Sequence, residues 1–267
     1  MKPTDLIFAI LFGAFMCSCT EQPNDRYVNF NGKRIHILDT GQGSPTVVFI
    51  TGLNCGLEYF NEVQPEISKL TRTISYDRSG LGKSDIVDSI RTIERVTDEL
   101  HNILLKEKIN GPFVLVGHSY GGAVMHFFTN KYPDQIAGLV FVDCSPLDHL
   151  WFDSLISKEL VPKEFLYSVD TTASPGEQIE MSYLWHIDST MRTVPFQTSV
   201  PIRLLVSTNI PGIQGEMLEL RNSIFYSFIN STPQIKYTFT NKSGHVIQKD
   251  EPELVINAIK EVLDEIE

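Results

Sequence analysis

From residue 27 onward the chain divides into segments whose apolar positions repeat with different periods. YVNFNGKRIHILDTG (27–41) alternates apolar and polar residues on either side of Asn31-Gly32, the signature of a two-stranded hairpin with a tight turn. TVVFI (46–50), FVLVG (113–117) and GLVFVD (138–143) are nearly unbroken apolar runs, which suits strands covered on both faces, and TISY (73–76) reads as a further short strand. Between these runs, Phe60, Val63, Ile67 and Leu70 fall at helical spacing, and so do Ile93, Val96, Leu100 and Leu104. Ala123, Val124, Phe127 and Phe128 mark a third helix, which must stop before Pro133. Strand and helix thus alternate from residue 46 to 143, predicting an α/β fold with a mostly parallel central sheet and helices on both faces. The rhythm breaks over residues 147–196, which are rich in aromatics and show no strand pattern. It resumes with IRLLVS (202–207), a helical segment near 215–230, IKYTF (235–239) and a last helix striped by Leu254, Val255, Ala258, Ile259, Val262 and Ile266. Asp250 with Glu253 resembles a capping box for that helix. The expected organisation is one core of residues 27–146 and 197–267, with an insertion of residues 147–196 roofing the C-terminal edge of the sheet.

The start of the chain follows another pattern. Lys2 precedes the apolar run LIFAILFGAFM (6–16), too short to cross a bilayer as a helix and suited to the core of a secretory signal over residues 1–18. Ser18 before Cys19 resembles a bacterial lipoprotein signal, so Cys19 is the expected lipidation site and residues 19–26 a tether. The protein is then expected to be exported and held at a membrane of the cell envelope by its lipid. Cys55 and Cys144 read as buried free thiols, because one pair at this spacing gives no disulfide framework. At 267 residues and 42% hydrophobic, the chain can bury a large core unaided. Its net charge of -11 argues against nucleic acid, which requires a basic face. No His/Cys cluster has metal-ligand spacing, so neither metal nor cofactor is expected.

The chemistry enters at PFVLVGHSYGGAVMHFFTNKYPD (112–134). An apolar strand runs into Gly117-His118-Ser119-Tyr120-Gly121 and a helix begins at once, the setting in which G-x-S-x-G presents a strained serine at a sheet edge. The helix N-terminus favours negative charge developing beside that serine.

Three segments in order, YDRSGLGKSD (76–85), GPFVLVGHSYGGAVMHFFTNKYPDQIAGLVFVD (111–143) and GHVIQKDEPELVINAI (244–259), resemble the α/β-hydrolase fold superfamily, as does the TVVFITGLNCG loop. The resemblance covers residues 27–146 and 197–267. It implies that Ser119 is a nucleophile and that His245, in KSGHVIQ before the final helix, is its base. The usual place for the acid is just after the strand at 202–207, yet STNIPGIQGE offers no Asp there and Glu216 comes late. Asp143 is preferred over Glu216, in keeping with branches of the superfamily that carry the acid after the preceding strand. The resemblance also implies an oxyanion site built from the N–H groups of Leu53 and Tyr120, with Thr51 where the family often has histidine. Asp77 and Arg78, in DRSGLGKS, are expected to pair with each other beneath a structural turn, and His118 to pack within the elbow.

Such an insertion shapes the substrate pocket in this superfamily. Its eight Asp or Glu against three Lys or Arg disfavour polyanionic substrates. The leading expectation is a serine hydrolase acting on a small neutral or apolar carboxylic ester. An aminopeptidase of the same fold, with Glu177 or Glu180 gripping a free amine, and a non-catalytic ligand-binding envelope lipoprotein are the alternatives.

Overall fold

A computed structural model describes residues 24–145 and 148–266. The N-terminal apolar run and Cys19 lie outside the described residues. Among the described residues, no helix is long and apolar enough to cross a membrane.

An eight-stranded sheet organises the chain, in the order β1-β2-β4-β3-β5-β6-β7-β8. β1 (Asn24–Phe30) and β2 (Lys33–Thr40) form the antiparallel hairpin, turning through Asn31 and Gly32, both at positive φ. β2 joins β4 (Thr73–Tyr76) antiparallel, and from there β3 (Thr46–Ile50), β5 (Phe113–His118), β6 (Ile136–Val142), β7 (Ile202–Ser207) and β8 (Ile235–Thr240) run parallel. Val48, Ile50, Leu115, Leu139, Phe141 and Leu204 belong to the apolar cluster on one face. Val47, Phe49, Val114, Val116, Val140 and Val142 belong to the cluster on the other. Successive side chains of each strand therefore serve opposite faces, which is why these strands read as continuous apolar runs.

Helix α2 (Ile93–Lys106), capped by Thr92, and α3 (Tyr120–Lys131) cover one face together with α8 (Glu216–Ser231). The other face is covered by α1 (Gln64–Ile67) and α10 (Pro252–Ile266), with α9 (Ile247–Asp250) leading into the latter. The residue 60–70 spacing does not yield one helix. A 3-10 turn over Leu57–Phe60 and the single turn α1 bury Phe60, Val63 and Ile67, while Leu70 is exposed. Pro65, at the start of α1, lacks the N–H that a helix running through it would need. The expected capping box at Asp250 is also replaced: its carboxylate accepts the Gly244 N–H at 2.9 Å, steadying the loop ahead of α9.

Between β6 and β7 the chain folds as α4 (Asp148–Ser157), α5 (Lys163–Leu166), α6 (Pro175–Ser182) and α7 (Leu184–Met191). These helices stand over the C-terminal ends of the parallel strands, where α/β sheets bind ligands.

Candidate active site

Ser119 joins β5 directly to α3 with φ +51° and ψ -121°, a conformation costing ~1–3 kcal/mol for a residue with a side chain. The surrounding backbone leaves the chain no other course. A Cβ on Gly121 would stand 2.1 Å from the Ile50 carbonyl oxygen, and one on Gly117 would stand 2.8 Å from that of Gly121. Both contacts are with backbone, so small residues two before and two after Ser119 are required. The serine hydroxyl makes no cap bond to α3 and faces the cavities described below.

His245 follows β8 on a loop held at three consecutive residues. Ser207 Oγ donates to the Ser243 carbonyl at 2.7 Å, Asp250 accepts from Gly244 N, and His118 Nε2 donates to the His245 carbonyl at 2.9 Å. The His118 ring is buried beside His245, and burial first, then the His245 charge, pushes its pKa down to about 4. It is thus a neutral prop within the elbow, as its place in the sequence suggests.

His245 Nδ1 lies 2.5 Å from Asp143 Oδ2. Asp143 caps the end of β6 at φ +54° and is 2% exposed. Its Oδ1 accepts from Ser207 N and from Arg221 Nη2, each at 2.7 Å. Burial opposes the Asp143 charge, but the bonds from His245 and Arg221 outweigh it and hold the pKa below the usual carboxylate value. An ionised carboxylate only accepts, so the ring proton sits on Nδ1 and the Nε2 lone pair is left for another partner. Glu216, the other candidate acid, begins α8 and pairs with Lys158 at 2.7 Å on the surface. The structure brings Asp143, and not Glu216, to His245.

The loop after β3 is fixed from beneath. Arg78 donates through Nη1 to the Thr51 carbonyl at 2.8 Å and through Nη2 to the Gly52 carbonyl at 2.6 Å. Its carboxylate partner is Glu180 of α6, bound at 2.7 Å and 2.9 Å. The expected Asp77–Arg78 pair does not form. Asp77 instead accepts from Leu57 N, Lys83 N and His36 Nδ1, because neighbours along an extended chain point to opposite sides. Leu53 and Tyr120 both line the cavity that Ser119 faces.

Two cavities meet at Ser119. The smaller, about 200 Å³, is lined by Ser119, His245, Arg221, Trp151 and Phe225 among others. The larger, about 320 Å³, runs beneath the insertion between Leu53, Ala123, Leu184, Ile187 and Met191. Asp148 and Phe152 border both. Of the insertion's aromatics, Trp151 and Phe152 face the cavities, whereas Phe165 and Trp185 are exposed. Cys144 is buried behind the elbow and Cys55 only half-buried; both are free.

Sequence reasoning missed Arg221 and the role of Glu180. Arg221 carried a readable signal: it occupies the stripe of α8 shared with Ile224, Phe225 and Phe228, where a charge needs a buried partner. Glu180 carried none, since its partner lies 102 residues earlier.

The Bacillus subtilis protein YqjL is 25% identical over 225 residues, covering 83% of this chain and 85% of that one. The 2-hydroxy-6-oxononadienedioate/2-hydroxy-6-oxononatrienedioate hydrolase of Escherichia coli K12 is 30% identical over 131 residues, 46% of each chain. The chain spans only 17% and 36% of the length of two further relatives, from Schizosaccharomyces pombe and Bacillus subtilis. Among solved structures, an epoxide hydrolase of Vigna radiata aligns with TM-score 0.70 at 15% identity, covering 91% of this chain and 98% of that one. A thermophilic esterase of Thermogutta terrifontis aligns with TM-score 0.63 at 22% identity, covering 92% and 99%. At those identities the structures speak for the fold alone. A family model described as alpha/beta hydrolase fold matches residues 45–186, from the first parallel strand through the Ser119 turn and most of the insertion; as that match takes in just over half of the chain, the chain belongs to the alpha/beta hydrolase fold family.

Proposed function

We propose that this protein is a serine hydrolase that cleaves small neutral or apolar carboxylic esters through an acyl-enzyme. The observation that carries the reading is the shared cavity. Ser119, strained at its elbow, and His245, bonded through Nδ1 to buried Asp143, line the same space. Ser119 Oγ attacks the acyl carbon while His245 Nε2 takes its proton; the proton then passes to the leaving alkoxide. Asp143 holds the ring tautomer and stabilises the imidazolium. The N–H groups of Leu53 and Tyr120 receive the oxyanion, each contributing ~3 kcal/mol to the transition state. Water, activated by the same imidazole, releases the acid.

The two cavities meeting at Ser119 suit the two halves of an ester, and the apolar lining of the larger favours an uncharged acyl group. The hydrolase among the similar proteins agrees with a hydrolytic reaction. The insertion serves as the cover of that pocket. An aminopeptidase finds less support, because both carboxylates proposed to grip an amine are engaged elsewhere. Glu177 closes the capping box of α6 with Ser174, and Glu180 is buried against Arg78. The N-terminal pattern ending in Ser18-Cys19 supports export and a lipid anchor at Cys19, with a small-molecule ester as the enzyme's substrate.

A fluorophosphonate probe followed by peptide mapping tests the central claim, with a panel of esters and arylamides run alongside. Labelling at Ser119 and turnover of esters are expected. A folded protein that neither reacts with the probe nor hydrolyses any ester would leave ligand binding as its function.

A further inference from the structure

We propose that the buried Arg78–Glu180 ion pair is the positioning device of the oxyanion site, so that the insertion sets the geometry of the loop carrying the Leu53 N–H. The inference rests on the serine hydrolase reading above.

The argument starts from the peptide group. In a trans peptide, the carbonyl of one residue and the N–H of the next lie in one plane and point in opposite directions. Leu53 is flanked by two such planes, and both are held by this pair. Arg78 Nη2 binds the Gly52 oxygen at 2.6 Å, fixing the plane that contains the Leu53 N–H and turning that N–H away from the guanidinium. Glu180 Oε2 accepts the Asn54 N–H at 2.8 Å, fixing the plane on the other side of Leu53. Asn54 itself sits at φ +56°, in the left-handed region that asparagine tolerates. The same guanidinium lies over the ring of Tyr120, 4.9 Å from its centre, so it contacts both Tyr120 and the peptide group that carries the Leu53 N–H.

Neither charge has another partner of opposite sign within salt-bridge reach among the described residues, and their side chains are 0% and 1% exposed. Removing either alone strands a buried charge. Two groups 102 residues apart therefore belong to one rigid unit, one beneath the catalytic loop and the other on helix α6. The close approach of Gly176 to Gly80, where a Cβ on Gly176 would stand 1.9 Å from the Gly80 oxygen, seats α6 on the loop that carries Arg78. Arg78 and Glu180 line neither of the two cavities at Ser119 and act through Leu53: they are positioning residues.

The test compares wild type with Glu180→Gln, Arg78→Lys and the double variant Arg78→Met/Glu180→Leu, measuring kcat and KM on a short-chain ester together with thermal melting. The double variant removes both charges at once, a change that buried pairs commonly tolerate, so it separates loop geometry from folding. All three are expected to lose roughly 100-fold or more in kcat, as when one oxyanion donor is lost. KM is expected to stay within about threefold, since an oxyanion donor acts on the transition state far more than on the bound ester. A folded double variant with kcat within about threefold of wild type overturns the proposal. So does an intact kcat with a greatly raised KM, which would make the pair a support for the pocket cover only. Failure of both Glu180→Gln and the double variant to fold would assign the pair to folding and equally overturn it. Wild type without any ester turnover or probe labelling would instead remove the hydrolase reading on which this one stands.

Discussion

Replacing Asp143 by Asn tests the most constrained part of the site, because the structure dictates which way the amide must face. Oδ1 of Asp143 meets two donors, Ser207 N and Arg221 Nη2, both at 2.7 Å. Oδ2 meets His245 Nδ1. In the variant, the amide oxygen must take the Oδ1 position, because the NH2 group placed there would confront two donors. That flipped arrangement leaves two buried donors unmet at ~2 kcal/mol each. The favoured arrangement points NH2 at His245 Nδ1, which must then accept, so the ring proton moves to Nε2. An Nε2–H cannot take the proton of Ser119. With ~4 kcal/mol separating the two orientations, about one molecule in 10³ holds the working tautomer, and losing the charge that stabilises the imidazolium lowers turnover further. The expected loss in kcat is therefore about 10³ to 10⁴-fold. Initial rates on a short-chain ester measure it, with circular dichroism to show that the variant is folded. Glu216→Gln serves as the control: that carboxylate is exposed and paired with Lys158, so rates should match wild type. An Asp143→Asn enzyme within about tenfold of wild type, or a Glu216→Gln enzyme that loses more, would refute the reasoning.

Stability should fall as pH drops from about 6.5 to 4, and the sign follows from two buried histidines. His118 and His126 are each pushed down to about 4, chiefly by burial, so across that window the unfolded chain takes up protons that the folded chain refuses. Each contributes a loss on the order of 3 kcal/mol by pH 4. Asp148, pushed up to about 6 by burial, binds a proton in the fold first and works in the opposite sense, more weakly because the residue is partly exposed to the cavity. Melting temperatures that stay flat or rise between pH 7 and 5 would contradict this balance. Gly121→Ala should cost about 3 kcal/mol or more, since its methyl meets only backbone; a urea midpoint unchanged from wild type would show that the elbow can relax. For the proposed anchor, wild type should incorporate radiolabelled fatty acid and Cys19→Ala should not. Equal incorporation by both would reject Cys19 as the lipid site.

The sheet was legible because its signal is local. An all-apolar run such as 47–50 announces a strand with both faces covered, and the three runs of this kind, at 46–50, 113–117 and 138–143, are each a strand in the fold. The Ser119 turn was legible for the same reason, since the glycines that permit it lie within two residues of the serine. Reading failed where one signal had two physical causes. Phe60, Val63 and Ile67 at helical spacing report one buried side, and two separate turns bury that side as well as a helix does. Asp250 and Glu253 at capping-box spacing could not reveal that Gly244 N–H claims the carboxylate first.

Partnerships across the fold pose a harder problem, and Asp143 shows where the boundary lies. His245 is 102 residues from it, as far as Glu180 is from Arg78. The first pair was found through the resemblance to the superfamily, which puts the base on the turn after β8 and, in some branches, the acid at the end of β6. Glu180 sits on a helix of the insertion, whose seating depends on contacts such as Gly176 against Gly80 that leave no periodic trace. Charged residues bound for burial are thus recognisable singly, by falling on an apolar stripe as Arg221 does or by interrupting a run of small turn residues as Arg78 does. What each must be paired with is decided by desolvation: a buried guanidinium requires a carboxylate, and Glu180 of the insertion delivers it to Arg78. The insertion was read as a cover over the pocket, yet the same electrostatic requirement makes it part of the loop beneath.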